Sequence, residues 1–88
     1  MRIDQILNKL CLVKTRSIVK KACDLNLVKI NSRIAKASNK VQTNDIIEYN
    51  LNSYFTKIKL LEIPQGNVSK SSAPKFYELI ERERIIDN

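Results

Sequence analysis

The stretch that decides the fold is residues 1–30, which run MRIDQILNKLCLVKTRSIVKKACDLNLVKI. Its first apolar residues follow the i, i+3, i+4, i+7 spacing of one helix face, at Ile3, Ile6, Leu7 and Leu10. A second helix is predicted from Arg16 to Leu25, with Thr15 as its N-cap and Asn26 as a left-handed terminator. Apolar side chains fill one arc of this helix and basic ones the other. The stretch therefore predicts two short amphipathic helices, the second basic on its outer face.

The rest of the chain predicts a small antiparallel sheet followed by a third helix. The strands are expected at 27–30, 33–36, 46–49 and 54–61, with Asn31-Ser32 as the turn of the first hairpin. Residues 64–73 are polar and predict a mobile linker. Pro74 suits the first turn of an amphipathic helix over residues 74–88, with Phe76, Leu79 and Ile80 on its apolar side. The prediction is an α+β fold: a domain at 1–63, a linker and a C-terminal helix.

The positive charge is concentrated in one part of the chain. Residues 1–60 hold 12 Lys and Arg against 4 Asp and Glu, a net charge of +8, whereas residues 61–88 hold 4 against 5. A charge of this size on about sixty residues indicates a polyanionic partner, most commonly RNA or DNA. The basic residues that stand on or beside the predicted helices and hairpin are the candidate contacts.

Composition argues against several other classes of protein. The 88 residues contain no His, which removes the usual general base and the commonest metal ligand. No nucleophile has a visible base beside it, so we expect no enzyme, no metal and no cofactor. Cys11 and Cys23 lie among apolar residues and are predicted to be two buried thiols. No signal peptide or membrane span is visible, and we expect a reduced cytoplasmic protein.

The order of elements and several motifs resemble the S-four domain, an RNA-binding module with the alpha-L fold. The matching pieces are Arg2-Ile3-Asp4-x-x-Leu7, Thr15-Arg16-Ser17 with Lys20-Lys21-Ala22, Val28-x-Ile30-Asn31, Lys36-x-Ser38 and Val41-x-x-x-Asp45. Ser32 and Asn44 stand where the family commonly has Gly. Asn tolerates a positive φ better than any other residue except Gly, so Asn44 suits the same backbone, whereas Ser32 is less comfortable.

The length leaves no room for an attached catalytic domain, so we expect a free-standing member of the family, in monomeric form. The chain is similar to the RqcP type of ribosome-associated quality-control factor, a relative of the small heat-shock protein fifteen. That resemblance implies binding to a large ribosomal subunit that carries peptidyl-tRNA, with contacts to large-subunit rRNA and tRNA. It also implies support of alanine tailing together with a tRNA-delivering factor.

The candidate RNA-binding residues are Arg2, Asp4, Lys14, Arg16, Ser17, Lys20, Lys21 and Lys36. Arg2 and Arg16 are the main contacts, because a planar guanidinium grips two phosphate oxygens or stacks on a base. With Asp4 they also match positions that the RqcP type uses at its RNA surface. Asp4 either orients one of these arginines by a salt bridge or acts as a helix-dipole carboxylate. The lysines supply phosphate attraction, or are solvated surface charges.

Two alternatives remain open. The same fold serves a heat-shock-type recycling factor or an assembly factor of the large subunit. A protein-interaction adaptor is an alternative of another class, with the predicted C-terminal helix as its docking element.

The aromatic residues Tyr49, Tyr54 and Phe55 either pack in the core, which their strand positions favour, or offer a stacking surface.

Overall fold

The computed structural model describes residues 1–85, in which two helices precede one antiparallel sheet. The elements in chain order are α1 (Ile3–Lys9), α2 (Arg16–Asp24), β1 (Val28–Ile30), β2 (Arg33–Ile34), β3 (Ile46–Leu51), β4 (Tyr54–Leu60), a 3-10 turn (Ala73–Phe76) and β5 (Tyr77–Arg84). The strand order is β2-β1-β3-β4-β5, and all neighbouring strands are antiparallel. The prediction of an α+β fold with two short helices packed on an antiparallel sheet is confirmed.

The core lies between the helices and one face of the sheet. Its fully buried side chains come from both layers: Ile3, Ile6, Leu7, Leu10, Val19, Val28, Ile47, Ile58 and Leu60. The apolar face predicted from the spacing of the first helix is therefore confirmed, since its four side chains are all buried: Ile3, Ile6, Leu7 and Leu10. Burial of these side chains against the sheet supplies most of the stability of a domain this small.

The helix ends follow from local sequence. Thr15 Oγ1 accepts a hydrogen bond of 3.2 Å from the Ile18 N–H, which confirms Thr15 as the N-cap of α2. Asn26 follows α2 with φ of 60°, as predicted, and Cys11 follows α1 with φ of 59°. This left-handed geometry satisfies the last carbonyls of each helix. The side chain of Cys11 is exposed, so the prediction of two buried thiols is wrong for this residue.

Two tight hairpins use residues with positive φ at both central positions. These pairs are Asn31-Ser32, with φ of 51° and 69°, and Asn52-Ser53, with φ of 52° and 65°. Such turns match the right-handed twist of the flanking strands. Asn44, with φ of 77°, also adopts the left-handed backbone that the resemblance to the S-four domain led us to expect.

The C-terminal helix predicted over residues 74–88 is wrong for the described residues. Only a 3-10 turn begins there, and residues 77–84 form β5, which pairs with β4 along its whole length. Residues 86–88 lie outside the described part of the chain. The strand predicted over residues 54–61 as the last one, β4 in the structure, is therefore followed by another.

The physical reason is a tertiary override of helix propensity. β4 has seven residues whose backbone groups need a second partner strand, and its Lys57 and Lys59 lie opposite Glu81 and Glu78 of β5. A register shift at Lys57/Ile58 breaks the period-two pattern of β5, which hides the strand in the sequence. Leu, Glu and Arg are good helix formers, but an unpaired strand edge outweighs that preference.

The predicted linker over residues 64–73 is attached to the domain at several points. Pro64 and Ala73 are buried, and Val68 packs against the core. Hydrogen bonds between Ser69 and Ser72 close a turn in front of the 3-10 segment. Residues 64–73 thus return the chain to the edge of β4, where β5 pairs with it.

We expect Ser32→Gly to raise the free energy of unfolding by about 0.5–1 kcal/mol. A left-handed backbone costs an L-residue about 1–2 kcal/mol, which exceeds the entropy that glycine adds to the unfolded chain. Urea unfolding followed by circular dichroism measures the change. Ser38→Gly is the matched control, because Ser38 is also exposed but has a negative φ, and it should destabilise. Equal effects at both positions would contradict the assignment of the turn.

Candidate nucleic-acid interface

The start of α1 is bound to the loop that follows the first hairpin. The Ile3 N–H donates to the Asn39 carbonyl at 2.8 Å, and the Asp4 N–H donates to the Ala37 carbonyl at 3.4 Å. These bonds satisfy amide groups that have no partner inside the helix. They also bring the loop that carries Lys36 beside the first turn of α1.

Asp4 joins the first turns of the two helices. Its side chain is 0% exposed, and its Oδ2 accepts from Arg2 Nη2 at 3.1 Å and from Arg16 Nη2 at 3.2 Å. A buried carboxylate is strongly disfavoured unless it is paired with cations. Of the two roles predicted for Asp4, the salt bridge is present, and it reaches both arginines. One oxygen atom of Asp4 therefore brings together the two main candidate contacts, Arg2 and Arg16.

The two guanidinium groups are fixed on one side and open on the other. Arg2 and Arg16 keep 40% and 42% of their side chains exposed, although each has a buried Nε atom. Within residues 1–85, these Nε atoms and Asp4 Oδ1 have no hydrogen-bond partner. The structure thus presents two adjacent cations whose exposed guanidinium surface can bind phosphate oxygens, whereas their Nε–H groups are buried.

The other predicted contacts do not all lie on the same part of the surface. Lys20 follows Arg16 by one turn of α2 and is exposed on the same side, with Ser17 also exposed beside them. Lys36 is exposed on the loop at the start of α1. Lys21 lies roughly 140° around α2 from Arg16, at 100° per residue, and belongs to a different face.

Lys14 lies apart from Arg16 and Lys20, since it precedes α2 and lines a separate groove. We call the remaining group of cations the basic corner: it consists of Arg2, Arg16, Lys20 and Lys36.

Sequence reasoning did not include Lys40 among the candidate contacts. Lys40 and Arg2 face each other in an isolated antiparallel bridge, so an exposed lysine stands directly beside the arginine pair. The signal available in the sequence was the general excess of cations over residues 1–60. The pairing of two residues so far apart in the chain depends on the folded loop.

Burial raises the pKa of the Cys23 thiol, and the nearby carboxylates of Asp24 and then Asp4 act in the same direction. Cys23 lies on the buried side of α2, below the basic corner. The thiol therefore stays protonated and behaves as a small apolar side chain. Its role is in packing α2 against the sheet.

Residues 1–85 contain no group of three or more His, Cys, Asp or Glu side chains arranged to hold a metal ion. Nor does any helix in that range combine the length and the apolar character needed to cross a membrane.

Comparison with known proteins agrees with the fold. The family model described as S4 domain, the S-four domain named above, matches residues 1–47. That range holds both helices, the first hairpin and the Arg2–Asp4–Arg16 cluster. Heat Shock Protein 15 of Vibrio cholerae, described as trimeric, has a similar structure with a TM-score of 0.82 and 23% identity. The similarity covers 90% of this chain and 80% of that one.

Curated relatives narrow the family further. A protein of Streptococcus pneumoniae named RQC P-site tRNA stabilizing factor is 30% identical over 88 residues, which cover 100% of this chain and 99% of that protein. A protein of the same name from Halalkalibacterium halodurans is 26% identical over 97% of this chain and 96% of its own length. The chain therefore belongs to the S4 domain family and, within it, to the family of the RQC P-site tRNA stabilizing factors.

We expect the two arginines to be coupled through Asp4. Arg2→Ala and Arg16→Ala should each cost about 1 kcal/mol of unfolding free energy, because both side chains are partly exposed and Asp4 keeps one partner. The double variant should lose about 3–5 kcal/mol, since the buried carboxylate then has no cation. Urea unfolding of the full double-mutant cycle gives the coupling energy. Lys20→Ala with Lys21→Ala is the control pair and should be additive; additivity at the arginines contradicts the bridge.

We expect one thiol of the native protein to react with a disulfide reagent and the second to react only after unfolding. Cys11 is exposed, whereas burial of Cys23 raises the pKa of its thiol. Because the folded state then holds that proton to higher pH than the unfolded state, stability should fall as the pH rises above about 8.5. Cys23→Ala should flatten this dependence, and Cys11→Ser should abolish only the native reaction. Rapid reaction of both native thiols would refute the assignment.

Proposed function

We propose that this chain is a non-catalytic RNA-binding factor that binds the large ribosomal subunit while it carries peptidyl-tRNA. The observation that carries the proposal is the pair of arginines on Asp4, presented by the first sixty residues, which have a net charge of +8. Relatives named RQC P-site tRNA stabilizing factor support tRNA and the ribosome as the partners.

Placement of RNA, without a chemical step, is the proposed mechanism. The guanidinium groups of Arg2 and Arg16 bind phosphates of folded RNA, and Lys20 and Lys36 add attraction from the same corner. Two neighbouring cations held in fixed positions suit a junction where rRNA and tRNA approach each other. By binding both, the factor prolongs the residence of the tRNA through linked equilibria.

The proposed cellular role is support of alanine tailing of the stalled chain, in the cytoplasm and together with a tRNA-delivering factor. The protein acts as a monomer in this proposal. The adaptor alternative loses its structural basis, because Phe76, Leu79 and Ile80 do not form a docking helix. The remaining alternative is a recycling or assembly factor that binds the large subunit through the same basic corner.

We expect Arg16→Ala to weaken binding to large subunits that carry peptidyl-tRNA by about 1–3 kcal/mol, with the fold retained. Cosedimentation in sucrose gradients measures bound protein, and circular dichroism checks the fold. Lys75→Ala removes the same charge outside the basic region of residues 1–60 and serves as the matched control. Normal comigration of Arg16→Ala would exclude this arginine as a contact.

The same gradients separate the proposal from its alternative. A quality-control factor should be enriched on subunits bearing peptidyl-tRNA, whereas an assembly factor should be enriched on immature particles. Binding through about five phosphates also predicts that log affinity falls against log salt with a slope near −3.5 to −4.5. A flat salt response contradicts the electrostatic basis of the proposal.

A further inference from the structure

A groove of about 690 Å³ lies beside the basic corner, between the α1–α2 connection and the helix-facing side of β3, β4 and β5. Its volume is in the range of about 300–1,000 Å³ that is typical of ligand sites. Apolar side chains are exposed on both of its walls: Ile18 of α2 is 40% exposed and Leu79 of β5 is 54% exposed. The groove is thus open, and its apolar surface lacks a partner among residues 1–85.

The charged side chains that line the groove all have the same sign. Lys14, Lys70 and Arg82 reach it, and among the described residues no carboxylate lines it. The cause is the sorting of charge on β5: Arg82 lies opposite Thr56 on the groove side, whereas Glu78 and Glu81 lie opposite the lysines of the other face. The groove therefore suits an anionic ligand.

Aromatic side chains form the floor of the groove. Tyr49, Tyr54 and Tyr77 line it, and the Arg82 guanidinium lies 4.6 Å from the centroid of the Tyr54 ring. This cation–π contact orders the guanidinium on the ring. Tyrosine rings and arginine planes are the groups on which proteins stack unpaired bases. Together with the lysines, they form a site with separate features for a base and for its phosphate.

The groove lies next to the arginine pair. Arg16 lines a second, smaller cavity of about 470 Å³, and Cys11 borders both that cavity and the groove. Lys14 of the groove and Ser17 flank Arg16 in the chain and are exposed and polar. A nucleic acid held at Arg16 can therefore continue over the first turn of α2 into the groove without meeting a carboxylate on the groove wall.

We infer that this groove holds one unpaired nucleotide of the bound RNA, with its base on the Tyr54–Arg82 stack and its phosphate near Lys14 and Lys70. The inference rests on the proposed RNA-binding function and extends it. In this arrangement the basic corner binds the backbone of structured RNA, and the groove selects RNA that has a base turned out of the helix.

The test compares two fluorescent RNA hairpins, one fully paired and one with a single bulged adenosine, in anisotropy titrations of the full chain. The protein should bind the bulged hairpin about 5- to 150-fold tighter, the contribution of one stacked base. Tyr54→Leu and Arg82→Gln should bring this ratio towards one. Phe55→Leu and Lys59→Gln are the matched controls on the opposite face of the sheet and should preserve it.

Two failures are distinguishable. A ratio near one for the unaltered protein, or a ratio unchanged in Arg82→Gln, overturns the groove inference; Arg82 is exposed, so this variant should fold even if Tyr54→Leu does not. Arg16→Ala should weaken binding of both hairpins equally, and its failure to do so counts against the proposed function alone.

If an acidic aromatic peptide, and no bulged RNA, shifts the NMR signals of Tyr54 and Arg82, the groove is a peptide site and the inference is wrong.

Discussion

The buried carboxylate of Asp4 is the constraint on which the arrangement of the interface depends. With 0% of its side chain exposed, Asp4 is stable as an ion only if cations replace its lost hydration. Arg2 and Arg16 meet this need from the starts of the two helices. One ion cluster thus ties the starts of α1 and α2 together and holds both guanidinium groups beside the same carboxylate. A carboxylate that would repel phosphate at the surface is here buried and holds two arginines in place.

Pairing with lysines on neighbouring strands occupies the acidic side chains of Glu48 and Glu81 in the sheet. Along the sheet, Lys29 lies opposite Glu48, Glu48 opposite Lys57 and Lys57 opposite Glu81, so charges alternate across four strands. Lys57 and Glu48 also form an ion pair at 3.6 Å. These acids lie on the face directed away from the helices. Among the described residues, the charged side chains that line the groove on the helix-facing side of the sheet are therefore all cations.

Local signals were sufficient for much of the fold. The apolar spacing of Ile3 to Leu10, the cap at Thr15 and the terminator at Asn26 act within a few residues, so the helices were predictable. The hairpin at Asn31-Ser32 was predictable for the same reason. Residues 77–84 were not: their composition favours a helix, and a register shift disturbs the strand alternation. Their conformation is set by β4, a strand more than ten residues away in the chain.

The interface shows the same division. Charge and local position, together with the resemblance to the S-four domain, made Arg2, Asp4 and Arg16 candidate contacts, and the charge of the first sixty residues indicated a polyanion as partner. Whether Asp4 pairs with one arginine, with both or with the helix dipole was undecidable from the chain, since each choice requires the angle between two helices. The position of Lys40 beside Arg2 and the cationic lining of the groove likewise arise from packing. Contacts between residues distant in sequence exist only once the core has fixed the positions of the helices, the loop and β5.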